Sequence, residues 1–263
     1  MRGGPFLRVE ELSAGYGSAA VLRDISLEVN PGELIVLAGP NGGGKTTLLK
    51  TMGGLLRPLS GRVLLDGRDL HSLGKRERAA SMAFLFQGQT LGWSFTVREL
   101  VSQGRFSRQG WFGNEGAGDR SAVDRALISA GLRDLENRPV TGLSGGELQR
   151  VLIARAMAQE AKLFLLDEPV NNLDPQYQCM VMNLIRAMTG EGKSALVSLH
   201  DLNLASLYAD RMILLSRGQA PVQGKPGEVL RQDLLKEIFH ISLELAPHPA
   251  DGAIPLVFPP LPS

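Results

Sequence analysis

A single cysteine, Cys179, stands among the 263 residues, so an internal disulfide is excluded and no neighbouring thiol is available to build a metal site. That scarcity fits a reducing compartment, and the cytosol is the expected one. Net charge is scarce as well: 28 Lys plus Arg against 27 Asp plus Glu leave +1, far short of the basic field that nucleic-acid binding needs. Nucleic acid is therefore not an expected partner. No window approaches the ~18 continuous apolar residues of a membrane span, and Met1 to Arg8 lack the apolar core of a signal peptide. Any role at a membrane is expected to be that of a separate peripheral subunit. Internal repeats and low-complexity tracts are also missing, and the length suits one large domain carrying an inserted lobe.

What is present begins with Gly39-Pro40-Asn41-Gly42-Gly43-Gly44-Lys45-Thr46-Thr47, a G-x-x-x-x-G-K-[ST] loop. It follows the apolar run Leu34 to Ala38 and leads into the helical start Thr47-Leu48-Leu49-Lys50. A phosphate cradle needs backbone N–H groups converging at a helix N-terminus, with glycines letting the backbone approach. In that setting Lys45 reaches the terminal phosphates of a nucleotide and the Thr46 hydroxyl holds Mg2+.

Around this loop the chain reads as short strands at Phe6–Leu12, Val21–Val29, Arg62–Leu70 and Met82–Phe86, with buried strands at Leu163–Leu166 and Ser194–Leu199. Helices are expected at Gln176–Met188 and Leu202–Tyr208. Alternating strand and helix argue for a mainly parallel sheet covered on both faces. Helical periodicity over Asp119–Leu132 and a capping box at Thr96/Glu99 mark a helical lobe. The expected division is one domain over 1–263: an α/β core at 1–87 and 156–239, the lobe at 88–155, and a tail at 240–263. In that tail Ile241, Leu243 and Leu245 alternate, Ala250-Asp251-Gly252 turns, and Ile254–Phe258 pairs back as an edge strand that tolerates Pro255.

The strand Leu163–Leu166 delivers Asp167 and Glu168 at its C-terminal end, where ligands of open parallel sheets bind. Asp167 is read as part of the Mg2+ shell. Glu168 is read as the carboxylate that polarises the water attacking the terminal phosphate, since positioning and charge neutralisation carry most of phosphoryl transfer. A lone Asp-Glu pair is ordinarily a solvated strand end; the loop ending in Lys45 changes that reading.

Leu143-Ser144-Gly145-Gly146-Glu147-Leu148-Gln149-Arg150 is the most diagnostic stretch, and here the sequence resembles the ATP-binding-cassette family of transport ATPases. The resemblance runs from about Phe6 to Phe239. It implies a P-loop NTPase (RecA-like) fold, α/β with a mainly parallel sheet, an N-terminal antiparallel β subdomain and an inserted α-helical lobe. It implies ATP as substrate, Mg2+ as cofactor and ATP hydrolysis as the activity. Ser144, Gly145 and Gly146 resemble the signature that caps the γ-phosphate of ATP held by the other subunit. Tyr16 resembles the aromatic residue that stacks on adenine. Gln87 resembles the glutamine that joins Mg2+ and the attacking water to the lobe. Asn172-Leu173-Asp174 resembles the loop crossing the dimer interface, and His200 the switch histidine at the γ-phosphate. Two departures stand out. Gly43 occupies a position more often held by a small side chain, and Glu147 replaces the glutamine commonly found after Ser-Gly-Gly. Neither is expected to inactivate the site.

The same resemblance implies partners: a second copy in a head-to-tail dimer with two equivalent sites, integral membrane permease subunits docking at the lobe, and indirectly a substrate-binding protein. Trp93, Phe95, Trp111 and Phe112 are read either as that docking surface or as the lobe's own small core. The run Thr96–Arg105, Glu147 and the strand-like tail resemble the branch serving importers of ferric siderophores, haem and cobalamin. Two other readings bear on the same motifs. Cassette ATPases of translation or DNA repair usually carry tandem cassettes or long coiled coils, and this chain has one cassette and no heptad run. A non-enzymatic ATP sensor is expected to have lost Glu168, His200 or the signature, and none is lost.

Overall fold

Leu34-Ile35-Val36-Leu37-Ala38 has no polar residue and every one of its side chains is buried, the pattern of a strand covered on both faces. The computed structural model describes residues 4–86, 95–108 and 116–260. The strands are β1 (Leu7–Tyr16), β2 (Ala19–Val29), β3 (Leu34–Ala38), β4 (Ser60–Leu65), β5 (Arg68–Asp69), β6 (Met82–Leu85), β7 (Leu163–Asp167), β8 (Ser194–Ser198), β9 (Arg211–Leu214), β10 (Val222–Gly224), β11 (Glu244–His248) and β12 (Asp251–Phe258). Six of them form the core sheet in the order β10-β9-β3-β8-β7-β6. Its first five-strand run from β6 to β9 is parallel, and β10 joins β9 antiparallel. The phosphate-loop strand β3 is therefore central, flanked by β8 and β9, with β7 one position further. Apolar clusters cover the sheet on both faces.

A second, four-stranded antiparallel sheet has the order β2-β1-β4-β5. Its first strand runs to Tyr16, four residues beyond the expected end at Leu12. Register shifts in the β1–β2 pairing between Val9 and Leu12, and again up to Gly15, break the alternation that would have announced the extra length. As a result Tyr16 is carried to the turn, where it pairs with Ala19 and is 54% exposed.

The lobe is built from helices Val97–Ser102, Ala117–Ser129 and Gly145–Ala158, packed about Val97, Leu100, Val123, Leu127, Val151 and Ala154. Thr96 and Glu99 form the expected capping box. The third helix serves two units, since Val151 and Ala154 face the lobe cluster while Ile153 and Ala156 belong to the cluster under the core sheet. The expected lobe boundary at residue 155 falls inside this continuous helix. Its C-terminal end is held by two arginines: buried Arg105 donates to the Ala158 carbonyl at 2.7 Å, and Arg108 to the carbonyls of Gln159 and Glu160 at 3.0 and 2.9 Å. Cations at a helix C-terminus complement its dipole.

The tail forms a hairpin of β11 and β12, paired from Glu244–Phe258 to His248–Asp251. The return strand is as expected, but it starts at Asp251, so the turn is Pro249-Ala250 and not Ala250-Asp251-Gly252. Pro247 lies opposite Pro255, which puts the two residues that lack an N–H at one cross-strand pair. Asn203, on the helix Leu202–Tyr208, clamps the hairpin: its Oδ1 accepts from Val257 N at 2.6 Å and its Nδ2 donates to the Val257 carbonyl at 3.1 Å. Asn203→Ala removes both bonds, and we expect it to lower stability by about 1–2 kcal/mol. Thermal denaturation measures the loss, and limited proteolysis should show cleavage of the released tail; an unchanged digestion pattern would assign the docking to packing alone.

Candidate functional site

The loop after β3 turns because glycines occupy conformations that side chains resist. Gly39, Gly42 and Gly44 have φ of 138°, 76° and 99°. At Gly39 sterics add to conformation, since a Cβ there would stand 2.0 Å from the Leu215 carbonyl oxygen. Gly43 has a milder version of the same constraint, its Cβ position lying 2.8 Å from that oxygen and 3.0 Å from the Pro40 carbonyl oxygen. The departure from a small side chain at Gly43 thus lets the loop sit close against Leu215. Lys45 opens the helix Lys45–Met52, and its Nζ donates to the carbonyls of Gly39 and Pro40 at 2.8 and 3.2 Å. Burial pulls the Lys45 ammonium below its ordinary pKa, while the charges of Glu168 and Asp167 act in the opposite direction.

At the end of β7, Asp167 is buried and uses both oxygens. Thr46 Oγ1 donates to Oδ2 at 2.7 Å, and Ser198 Oγ donates to Oδ1 at 2.6 Å. The Ser198 oxygen in turn accepts from Glu168 N at 2.8 Å, so one buried hydroxyl on β8 fixes both carboxylate residues. Glu168 adopts φ 49°, a left-handed conformation that is uncommon for a side chain other than glycine. The bend turns the side chain off the strand axis toward two nitrogen partners. His200 Nε2 lies 2.5 Å from Oε1, and Asn171 Nδ2 donates to Oε2 at 2.8 Å.

A cleft runs along this edge, lined by Tyr16, Val21, Asn41 to Thr47 and Glu168. The structure therefore gathers Tyr16, the loop and Glu168 at one cavity, with Asp167 and His200 bonded to its members. It does not bring the signature there. Ser144 and Gly145 are exposed on the lobe, Gly146 is buried, and none of them lines the cleft. A Cβ at Gly146 would stand 2.7 Å from the Tyr177 ring, which explains a glycine at that helix start. Asp174 is exposed at the N-cap of the helix Pro175–Gly190. Gln87 lies outside the described residues, as do Trp93, Trp111 and Phe112. Phe95 is partly buried against the lobe's own apolar cluster.

Three residues of the site escaped the sequence reading. Ser198 was readable only as a small polar residue inside an apolar strand. Asn171 lies three residues after Glu168 in a turn whose Asn171 N–H donates to the Glu168 carbonyl at 3.2 Å, a local bond no periodicity announces. Tyr177 carried no signal beyond its place on an amphipathic helix.

The donor set at Thr46 and Asp167 is all oxygen, a hydroxyl beside a carboxylate, which fits a hard cation such as Mg2+. Among the described residues no group of three or more His, Cys, Asp or Glu gathers to hold a metal by itself. An ion there would take its remaining ligands from phosphate and water, the usual arrangement for Mg2+ on a nucleotide.

A glycine loop between a central parallel strand and a helix, with carboxylates at the end of a strand two positions away, defines a phosphate-loop nucleotide-binding protein. The family model for the ABC transporter matches residues 22–171, and the chain belongs to that family as an ATP-binding subunit and ATPase. The iron(3+)-hydroxamate import ATP-binding protein FhuC of Bacillus subtilis (strain 168) is 38% identical over 244 residues, 92% of this chain and 91% of that protein. The hemin import ATP-binding protein HmuV of Pseudomonas entomophila (strain L48) is 41% identical over 251 residues, 94% of this chain and 97% of that protein. A solved structure described as a metal-chelate type ABC transporter in an inward-facing conformation superposes with a TM-score of 0.83 at 27% identity, covering 97% of this chain and 96% of that one. No helix among the described residues is long and apolar enough to cross a membrane.

Proposed function

We propose that this chain powers an importer of an iron chelate, either a ferric siderophore or haem, or of cobalamin, by binding and hydrolysing ATP at the cleft. The observation that carries the chemistry is the Glu168 carboxylate, held by His200 on one oxygen and Asn171 on the other at the mouth of the phosphate loop. ATP lies with its adenine against Tyr16 and its phosphates on the N–H groups of Asn41 to Thr47, with Lys45 at the terminal phosphates. Thr46 and Asp167 would hold Mg2+, with Gln87 as the further ligand that the family resemblance implies, and the ion would neutralise charge developing on the phosphate oxygens. Glu168 orients a water in line with the γ-phosphorus and accepts its proton as the new P–O bond forms. The bond to ADP breaks in the same displacement, and ADP and phosphate leave. His200 keeps the carboxylate aimed and contacts the γ-phosphate.

The half of the site facing Lys45 comes from a second copy. Among the described residues, none that lines the cleft belongs to the lobe, and the exposed Ser144 and Gly145 have a helix N-terminus to offer an anion. Two chains related head to tail place Ser144, Gly145, Gly146 and Asp174 of each over the ATP of the other, giving two equivalent sites. ATP closes the dimer and loss of the γ-phosphate contacts opens it. The partners of that stroke are membrane-embedded permease subunits docked at the lobe of residues 88–155, with a substrate-binding protein delivering cargo on the far side. The chain sits peripherally on the cytoplasmic face of the membrane. The cargo assignment rests on the imports named for the relatives and is tested by reconstitution with the cognate permease in vesicles. ATP-driven uptake of a ferric chelate or of cobalamin is expected; uptake of only an unchelated metal ion would redirect it.

A further inference from the structure

The helix Gly145–Ala158 starts with a closed capping box whose acid is Glu147. The Ser144 N–H and the Ser144 hydroxyl each donate to one oxygen, Glu147 Oε2, at 2.8 Å, and the Glu147 N–H donates back to Ser144 Oγ at 3.3 Å. A hydroxyl has one proton to give. Here that proton is donated to Glu147 Oε2, so Ser144 has none to give a phosphate oxygen until it rotates away from the carboxylate. The two Ser144 donors, with lesser help from Arg138 and Arg150, hold the Glu147 carboxyl below its ordinary range. As a carboxylate it occupies the positive end of a helix whose first N–H groups favour a negative charge. A nucleotide γ-phosphate brought to Ser144 by a facing copy meets this anion and competes with it for the same hydroxyl.

We propose that Glu147 is a positioning residue that stands in for the γ-phosphate at the signature, holding Ser144 in place until nucleotide on the facing copy displaces it. The proposal rests on the reading that Ser144 of one copy meets ATP on the other. Its effect is to set a threshold: closure of the dimer must break the Ser144–Glu147 bond and bring two anions together, so more ATP is needed than with a neutral residue. An internal control exists, because Thr96 and Glu99 form the same box at the helix Val97–Ser102, with Glu99 Oε2 accepting from Thr96 N at 2.8 Å and from Thr96 Oγ1 at 3.0 Å. That box has no place at the nucleotide, so it shares the capping role of Glu147 and lacks the proposed one.

The test compares Glu147→Gln with Glu99→Gln. Glutamine keeps an acceptor for the cap and removes the charge. For Glu147→Gln we expect KM for ATP and the ATP concentration that half-dimerises the protein to fall by about two- to five-fold, the scale of one partly screened like-charge contact. The kcat should stay within about two-fold, and the gain over the unaltered protein should shrink as salt is raised. Glu99→Gln should leave all these quantities unchanged. A KM that is unchanged or raised in Glu147→Gln overturns the proposal, as does an equal shift in Glu99→Gln, which would make the effect one of helix capping. Ser144→Ala separates this from the underlying reading: if it leaves ATP-driven dimerisation and hydrolysis intact, the signature role fails, whereas a disabled Ser144→Ala beside an unmoved Glu147→Gln removes only the stand-in.

Discussion

Glu168→Gln should lower kcat for ATP hydrolysis by about 10²–10³-fold while ATP binding survives. The amide matches the carboxylate in size, and it keeps an oxygen for Asn171 to donate to. What it loses is the negative charge and the ability to take a proton from water in the displacement. The backbone is unaffected, because the φ of 49° is held by the Glu168 N–H to Ser198 Oγ bond and by the turn to Asn171. With chemistry stalled and binding intact, ATP stays between two chains, so the variant should run as a dimer in ATP and as a monomer without nucleotide. Phosphate release and size-exclusion chromatography read the two halves of the result. Normal turnover in this variant would sink the role assigned to Glu168.

Lys45→Ala acts at the opposite step. The ammonium sits among the carbonyls of Gly39 and Pro40 at the centre of the loop, and on the proposed reading it exchanges them for phosphate oxygens when ATP binds. Charge-assisted bonds of this kind are among the strongest a protein makes, and their loss should weaken ATP binding by roughly 10²–10³-fold. Stability should change little. Burial already disfavours the Lys45 charge, so removing it relieves a desolvation cost that offsets the lost attraction to Glu168 and Asp167. Titration with a fluorescent nucleotide, beside a melting curve, tests the split; a protein that unfolds would mean the lysine holds the loop together and its effect on ATP is indirect.

Much of this site is legible because chemistry and local sequence coincide. The loop from Gly39 to Thr47 follows a continuous apolar strand, and Asp167-Glu168 follows another, so two motifs far apart in the chain both point to the C-terminal edge of one sheet. Structure was needed where the signal is a contact and not a pattern. Ser198 binds Asp167 and Glu168 at once, yet in sequence it is one serine at the end of β8. The helix Lys75–Ser81 was not readable because it buries none of its side chains and so has no apolar stripe. Tyr16 was placed by its motif, but the bulged strand that delivers it was cut short at Leu12. The extent of the lobe was blurred for a related reason: the helix Gly145–Ala158 serves both the lobe and the sheet, and a linear boundary cannot divide it.

The central claim is that Lys45 and Ser144 act on the same ATP from different chains. Mixing two inactive variants, Lys45→Ala and Ser144→Ala, tests it most directly. A heterodimer of the two has one doubly broken site and one site whose loop and signature are both intact, so hydrolysis on mixing should rise well above the sum of the separate activities. If loop and signature served one ATP within a single chain, neither variant would hold a complete site, and mixing would restore nothing.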